Sequence, residues 1–273
     1  MTTVELRHVS FNYADTSNEI LKDISLTFRS GQRIAIVGQN GAGKTTLIKQ
    51  LNGLLVPSSG EILIDGISVS SKPTYEWAKQ IGYVFQNPND QLFLDSVKKE
   101  FLFGIKNLKF SNIEIQARLA KVAKLTGLTD YLNLHPLDLT DVQKKFCTIG
   151  SVVMMNPDIV ILDEPTGGQD FLGKQRLSKL LLQLKQQNKI CLAVSHDMKF
   201  VSRNFDRVIM MKQGSVVADG TPIEVFSDRL SLDEAAIVLP PIMNLEHQLG
   251  WQVDSTDINS FIAEFRRKKR EKI

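Results

Sequence analysis

From Gly38 to Thr45 the chain reads Gly-Gln-Asn-Gly-Ala-Gly-Lys-Thr, and residues of these types at this spacing suit one piece of chemistry, the grip on a row of phosphates. Glycines at 38, 41 and 43 let the backbone turn tightly with no Cβ in the way. The N–H groups of the loop, those of Asn40, Ala42 and Thr46 included, can then point at phosphate oxygens. Lys44 would reach the β and γ phosphates, and the Thr45 hydroxyl would ligate Mg²⁺. The bland alternative is a glycine-rich turn with a chance lysine. The apolar run Ile34–Val37 before the loop and the helical stretch after it weigh against that, because a helix start adds its positive dipole end to the same anions. A nucleoside triphosphate is the expected ligand.

A second set of chemical groups lies far downstream. The apolar run Asp158–Leu162 stops at Asp163-Glu164, and the run Ile190–Val194 stops at Ser195-His196-Asp197. In a parallel sheet the carboxyl ends of the strands share one crevice, so these residues can meet the phosphate loop. Asp163 would hold Mg²⁺ through water while Thr45 ligates it directly. Glu164 would accept a proton from, or orient, the water that attacks the γ phosphate. His196 would hydrogen-bond that phosphate. Gln86, at the end of the run Ile81–Phe85, would touch the metal-bound water and the segment that follows. Tyr13 has two readings: an aromatic stacked on a purine, or a residue on a sheet surface.

The elements that must position these groups follow from periodicity. Val4–Ser10 and Ile24–Phe28 alternate as half-buried strands, with a polar loop from Ala14 to Glu19 between them. The stretch 44–54 reads as a helix, and Glu61–Ile64 followed by Asp65-Gly66 as a strand and tight turn. Residues 87–150 turn helical, with Ile113, Ala117, Ala120, Val122 and Leu125 at mixed helical spacings, and read as an insertion in the nucleotide core. A helix is expected over Leu172–Gln187, and a hairpin joins Arg207–Met211 to Ser215–Ala218 around Gln213-Gly214. The fold class is α/β: a P-loop NTPase (RecA-like) core with an antiparallel β subdomain, the α-helical insertion and a small C-terminal helical appendage. The expected division is an ATPase domain over residues 1–224 and an appendage over 225–273 that serves as a dimerisation region.

Composition narrows the classes. With 273 residues, 42% hydrophobic and 23% charged, the chain has the balance of a soluble globular protein with one large core and an appendage. The long stretch Ile149–Leu162 is broken by Asn156, Pro157 and Asp158, so no membrane span is expected. The N-terminus lacks the basic-then-apolar layout of a signal peptide. Cys147 and Cys191 stand apart, with no ligand spacing, and read as small buried hydrophobes. The net charge of +3 does not suit a polyanion binder, so nucleic acid is not an expected partner. The basic run Arg266–Arg270 reads as a solvated tail, with contact to anionic lipid headgroups as the alternative.

The phosphate loop, Gln86, the stretch Ile161–Thr166, Asp170 and Ser195-His196-Asp197 together resemble the ordered motif set of ABC-type ATPases, over Val4 to about Glu224. The stretch Gln86–Phe93, Phe103-Gly104 and the proline-containing appendage are similar to the ATP-binding subunits of energy-coupling factor (ECF) importers. The resemblance implies ATP hydrolysis with Mg²⁺. It makes Tyr13 the adenine-stacking aromatic, Gln86 the Q-loop residue, Asp163 the Walker B carboxylate, Glu164 the catalytic carboxylate, Asp170 the D-loop aspartate and His196 the switch histidine. It also implies a peripheral position at the cytoplasmic face of the membrane. The implied partners are a transmembrane coupling protein and a substrate-binding membrane subunit, and the implied cargo is a vitamin or metal ion. A soluble ABC ATPase acting on nucleic acid or ribosomes is the alternative, but such proteins usually carry a second cassette or coiled-coil inserts, which are not evident here.

One departure has consequences. Where the family carries LSGGQ, this chain reads Leu139-Thr140-Asp141-Val142-Gln143. Both glycines that permit close approach to a partner's γ phosphate are gone. Asp141 adds a like charge, costing about 4 kcal/mol at ~4 Å and an effective dielectric of about 20. Gly168-Gln169 ahead of Asp170 departs from the family's small-Leu-Asp as well. The expected partner is therefore a second, non-identical ABC ATPase with an intact signature.

Overall fold

Two kinds of strand build two sheets. The computed structural model of the chain describes residues 1–13, 18–106, 110–251 and 258–271. Alternating strands β1 (Thr3–Phe11) and β2 (Leu21–Arg29) pair antiparallel, and β3 (Arg33–Gly38) then leaves them for the second sheet. After the loop and α1 (Lys44–Leu51) the chain returns to the first sheet as β4 (Ser59–Ile64) and β5 (Ile67–Ser68). The short α2 (Thr74–Trp77) leads to β6 (Ile81–Val84). Helices α3 (Val97–Phe103), α4 (Asn112–Thr126) and α5 (Asp141–Met154) follow. The second sheet resumes with β7 (Ile159–Asp163), α6 (Phe171–Gln186), β8 (Ile190–Val194), α7 (Met198–Asn204) and the hairpin β9 (Arg207–Lys212) and β10 (Ser215–Gly220). Beyond it come α8 (Pro222–Ser227), α9 (Arg229–Ala235), α10 (Pro241–Gln248) and α11 (Ile258–Glu271).

The first sheet has the order β2-β1-β4-β5 and the second β10-β9-β3-β8-β7-β6, in which β9 through β6 run parallel and β10 is an antiparallel edge. Strand alternation sorts the core. Ile34, Ile36, Ile161, Leu192 and Ile209 pack toward the first sheet, while Ala35, Val37, Val160, Leu162 and Ala193 pack toward the helices. Both cysteines join the helix side as free buried thiols, and burial pushes each up to about 12, as expected of packing residues.

Several expectations need adjustment. Helix α1 stops at Leu51, since Gly53 (φ +72°) breaks it before residue 54. In α4 the buried face is Leu119, Val122, Ala123 and Thr126, and Ile113 points to solvent at 84% exposure. The capping box at Ser111 sets the start of that helix, so Ile113 falls in its exposed first turn. Helix α5 runs through Gly150 to Met154, Gly150 keeping helical backbone and leaving room for the Phe101 ring. Of the polar loop Ala14–Glu19, residues 14–17 lie outside those described. In the basic run, Arg267 pairs with Glu264 at 2.7 Å and Lys268 lies over the Trp251 ring; the side chains of Lys269 and Arg270 lie outside the described set. No described helix is long and apolar enough to cross a membrane.

At the end of the sheet away from the phosphate loop, Asp206 accepts from Arg33 Nη2 and from Lys185 Nζ, each at 2.8 Å. This joins β3, α6 and the entry to β9. Burial alone would push the Asp206 carboxyl up, yet the two cations outweigh it and hold it at about 2. A folded-state value below the unfolded one stabilises above the unfolded value and is lost as pH falls through the folded one. Asp206→Asn should therefore lower stability by on the order of 1 kcal/mol at neutral pH, after allowance for solvent screening. In denaturant titrations the difference between variant and wild type should shrink as pH falls from about 4 to about 2 and vanish below it.

Candidate active site

The loop after β3 is shaped by what a side chain would strike. Gly38 has φ +147°, and a Cβ there would sit 2.2 Å from the Met211 carbonyl oxygen. Gly41, at φ +81°, faces open space, so its N–H side is clear for a ligand. Lys44 is buried, and its Nζ donates to the carbonyls of Gly38 (2.8 Å) and Gln39 (2.7 Å). Burial lowers its pKa, partly offset by Glu164 and Asp163. Gly43 brings no side chain to cap α1, so the first-turn N–H groups remain turned toward the same space.

That space is a cleft of about 300 Å³ lined by Tyr13, Asn40, Gly41, Gly43, Lys44, Thr45, Thr46, Gln86, Asp163, Glu164 and His196. The residues singled out in the sequence thus converge. Gly38 and Ala42 stand behind the wall, Ala42 being buried and bonded through its carbonyl to Gly214 N–H. Tyr13 lies beyond the end of β1, edge-on to Phe11 at 4.9 Å and facing the cleft, which favours the stacking reading over the sheet-surface one.

The carboxylates differ. Glu164 has left-handed backbone, φ +47°, with its N–H bonded to the Val194 carbonyl at 3.1 Å. Such strain is held by surrounding structure and aims the side chain back over the sheet edge. Its Oε2 accepts from His196 N–H at 3.4 Å, and its Oε1 lies 3.2 Å from His196 Nε2 without hydrogen-bond alignment. Burial pushes Glu164 up to about 7, and burial with nearby Lys44 pulls His196 down. Both shifts favour the neutral forms. Asp163 Oδ2 accepts from the Tyr83 hydroxyl at 3.0 Å, while its buried Oδ1 has no partner among the described residues. An orphaned buried carboxylate oxygen next to a row of N–H groups fits a divalent cation bound with a polyanion.

Two residues were missed in the sequence, Tyr83 and Lys145. Lys145 is buried on α5, and its Nζ donates to the carbonyls of Phe85 (3.0 Å) and Gln86, pinning the strand end to the helical insertion. The available signal was a lysine on the apolar stripe Val142, Lys145, Ile149. Tyr83 had none, because its partner depends on which strand lies beside β6.

In the segment Leu139–Gln143, Thr140 caps α5 by accepting from Gln143 N–H, and the Gln143 Oε1 accepts from Thr140 N–H at 2.9 Å. Asp141 lies exposed in the first turn, where the helix dipole favours its charge. Asp170 and Asp197 cap α6 and α7. Among the described residues the Gln169 amide has no partner for either of its polar atoms.

The ABC transporter family profile matches residues 21–167. The chain belongs to the ABC transporter ATPase family. The energy-coupling factor transporter ATP-binding protein EcfA of Methanothermobacter thermautotrophicus is 36% identical over 92% of this chain and 82% of its own length. EcfA2 of Staphylococcus aureus is 34% identical over 99% and 100%. Among solved structures, cbiO1 of Clostridium perfringens, part of the ABC transporter complex cbiONQ, superposes with a TM-score of 0.76 at 35% identity, covering 90% of this chain and 98% of its own. The dimeric ATP-binding cassette MJ0796 bound to ADP and Pi matches with a TM-score of 0.72 at 25% identity, over 80% and 98%. This ABC ATPase hydrolyses ATP in the service of a transporter.

Lys145→Met keeps the volume but removes the donor for two carbonyls. Amide exchange over residues 85–92 should accelerate, and stability should fall by about 1–3 kcal/mol, the cost of buried acceptors left without a partner. Hydrogen exchange with mass spectrometry and a denaturant titration read both.

Proposed function

We propose that this ABC ATPase energises an ECF-type importer of vitamins or metal ions, as a peripheral subunit at the cytoplasmic face of the membrane. The observation that carries the reading is the convergence of Lys44, Asp163, Glu164 and His196 on one cleft; the ECF ATP-binding relatives support the importer class.

In the proposed reaction ATP lies along the loop 38–46 with its adenine against Tyr13. Lys44 meets the β and γ phosphates. Thr45, Gln86 and Asp163 would hold Mg²⁺, which supplies charge neutralisation on the phosphates. Glu164 takes a proton from the attacking water. The water oxygen bonds to the γ phosphorus as the bond from that phosphorus to the β–γ bridging oxygen breaks, and ADP and phosphate leave. His196 donates to the γ phosphate, for which its depressed pKa leaves a neutral ring with one N–H. A membrane subunit is proposed to seat a helix in the apolar groove beside Phe93 and Phe103, which are 65% and 48% exposed.

The active dimer is proposed to be asymmetric. Asp141 and Val142 stand where two glycines are expected, so this chain is a weak donor of signature contacts while its own cleft keeps the hydrolytic groups. The preferred partner is a related ATPase with LSGGQ, and residues 225–273 are proposed to help hold the pair together.

ATPase assays of the purified chain by itself and with a co-purified partner test the pairing. Low turnover in isolation with restoration by an LSGGQ-bearing subunit is expected, and full activity as a homodimer would remove the asymmetric dimer. In the assembled complex Glu164→Gln should cut hydrolysis by at least about 100-fold while nucleotide still binds. Wild-type turnover should rise with pH through about 7, where Glu164 loses its proton, and the variant's residual rate should lack that limb.

A further inference from the structure

Tyr83 belongs to two sites at once. Its ring helps to wall an apolar groove of about 350 Å³, with Leu54, Phe85, Phe93, Phe103 and Met155 around it. Its hydroxyl lies at the nucleotide cleft, donating to Asp163 Oδ2 at 3.0 Å. Strand register makes this reach possible. Tyr83 on β6 stands opposite Ile161 on the parallel neighbour β7, and Asp163, two residues along, shares that face. A phenol is long enough to span the offset.

We infer that Tyr83 is a positioning residue for Asp163, committing one carboxylate oxygen so that Oδ1 is the one presented to a divalent cation, and that it ties this carboxylate to the wall of the groove. The inference rests on the assignment of Asp163 to Mg²⁺ made above. Geometry supports both halves. Oδ1 is buried with no partner among the described residues, so the two oxygens are already differentiated. The strand end carrying the ring is held on every side. The Tyr83 carbonyl accepts from Gln91 Nε2 at 3.4 Å, Phe85 N–H donates to Gln91 Oε1 at 3.1 Å, and Lys145 holds the Phe85 and Gln86 carbonyls. The Tyr83 and Phe85 rings meet edge to face at 5.2 Å. A body pressed into the groove therefore cannot shift the ring without shifting the hydroxyl, and with it the carboxylate rotamer.

Tyr83→Phe removes one oxygen and keeps the ring. In the full-length chain the Mg²⁺ concentration for half-maximal binding of a fluorescent ATP analogue should rise by about ten-fold, the value of one charge-assisted hydrogen bond. Binding at saturating Mg²⁺ should stay near wild type, while the unfolding midpoint in EDTA should fall modestly, because the buried Asp163 Oδ2 loses its donor. Because Cys147 and Cys191 are buried, Phe93→Cys places a single accessible thiol in the groove. A bulky maleimide there should shift the Mg²⁺ midpoint when Tyr83 is present and leave it unmoved in the Tyr83→Phe background. An unchanged midpoint in Tyr83→Phe overturns the positioning role, and a label effect that is absent, or equal in both backgrounds, overturns the tie to the groove. Nucleotide binding by the wild type with no dependence on Mg²⁺ would overturn the metal assignment and this inference together.

Discussion

Val194 stands opposite Ile36 on one side and Asp163 on the other, and the site depends on that alignment. Because β8 lies between β3 and β7, the phosphate loop, the acidic pair and His196 leave three adjacent strands at one level. Parallel strands offer evenly spaced, slanted hydrogen bonds that lock this register. The sheet is buried on both faces, so a slip of one residue would exchange Ile34 and Ile36 for Ala35 and Val37 across two different cores. Hydrophobic packing thereby sets where the polar ends fall.

Those polar ends carry an electrostatic cost that the fold exploits. At the carboxyl end of the sheet Asp163, Lys44 and Lys145 are buried and Glu164 is half-buried. Desolvation shifts all four toward their neutral forms, and their mutual attraction offsets only part of it. Such a cluster is a weak source of stability and a good setting for charge that arrives with a ligand. The backbone shows the same economy, with Glu164 in left-handed conformation beside the Val194 carbonyl.

At the start of α5 the balance runs the other way. The cap between Thr140 and Gln143 satisfies two N–H groups of the helix start, and Asp141 places a negative charge in the first turn. That charge opposes an anion on a neighbouring subunit. What sets this helix start apart is the pair Asp141 and Val142 where two glycines are expected, and the proposed asymmetry rests on that charge and on those two side chains.

How much was legible in the residues themselves follows from range. The loop 38–45, the strand-end acids and His196 were readable because each is a local pattern: an apolar run of strand length that stops at a polar group. Fold class and most element bounds came from the same periodicities, with an error where Gly53 ended α1 early, while the start of α4 was set by a cap at Ser111 that the spacings did not locate. Tyr83 and Lys145 were not readable, since a tyrosine on a strand and a lysine on a helix acquire a role only through the neighbour that tertiary packing supplies. That Tyr13 lines the cleft was likewise visible only in the folded chain. Local chemistry was thus determined by the chain order of residues, whereas the pairing of β6 with β7, and of α5 with the end of β6, was decided only when long-range burial brought those elements together.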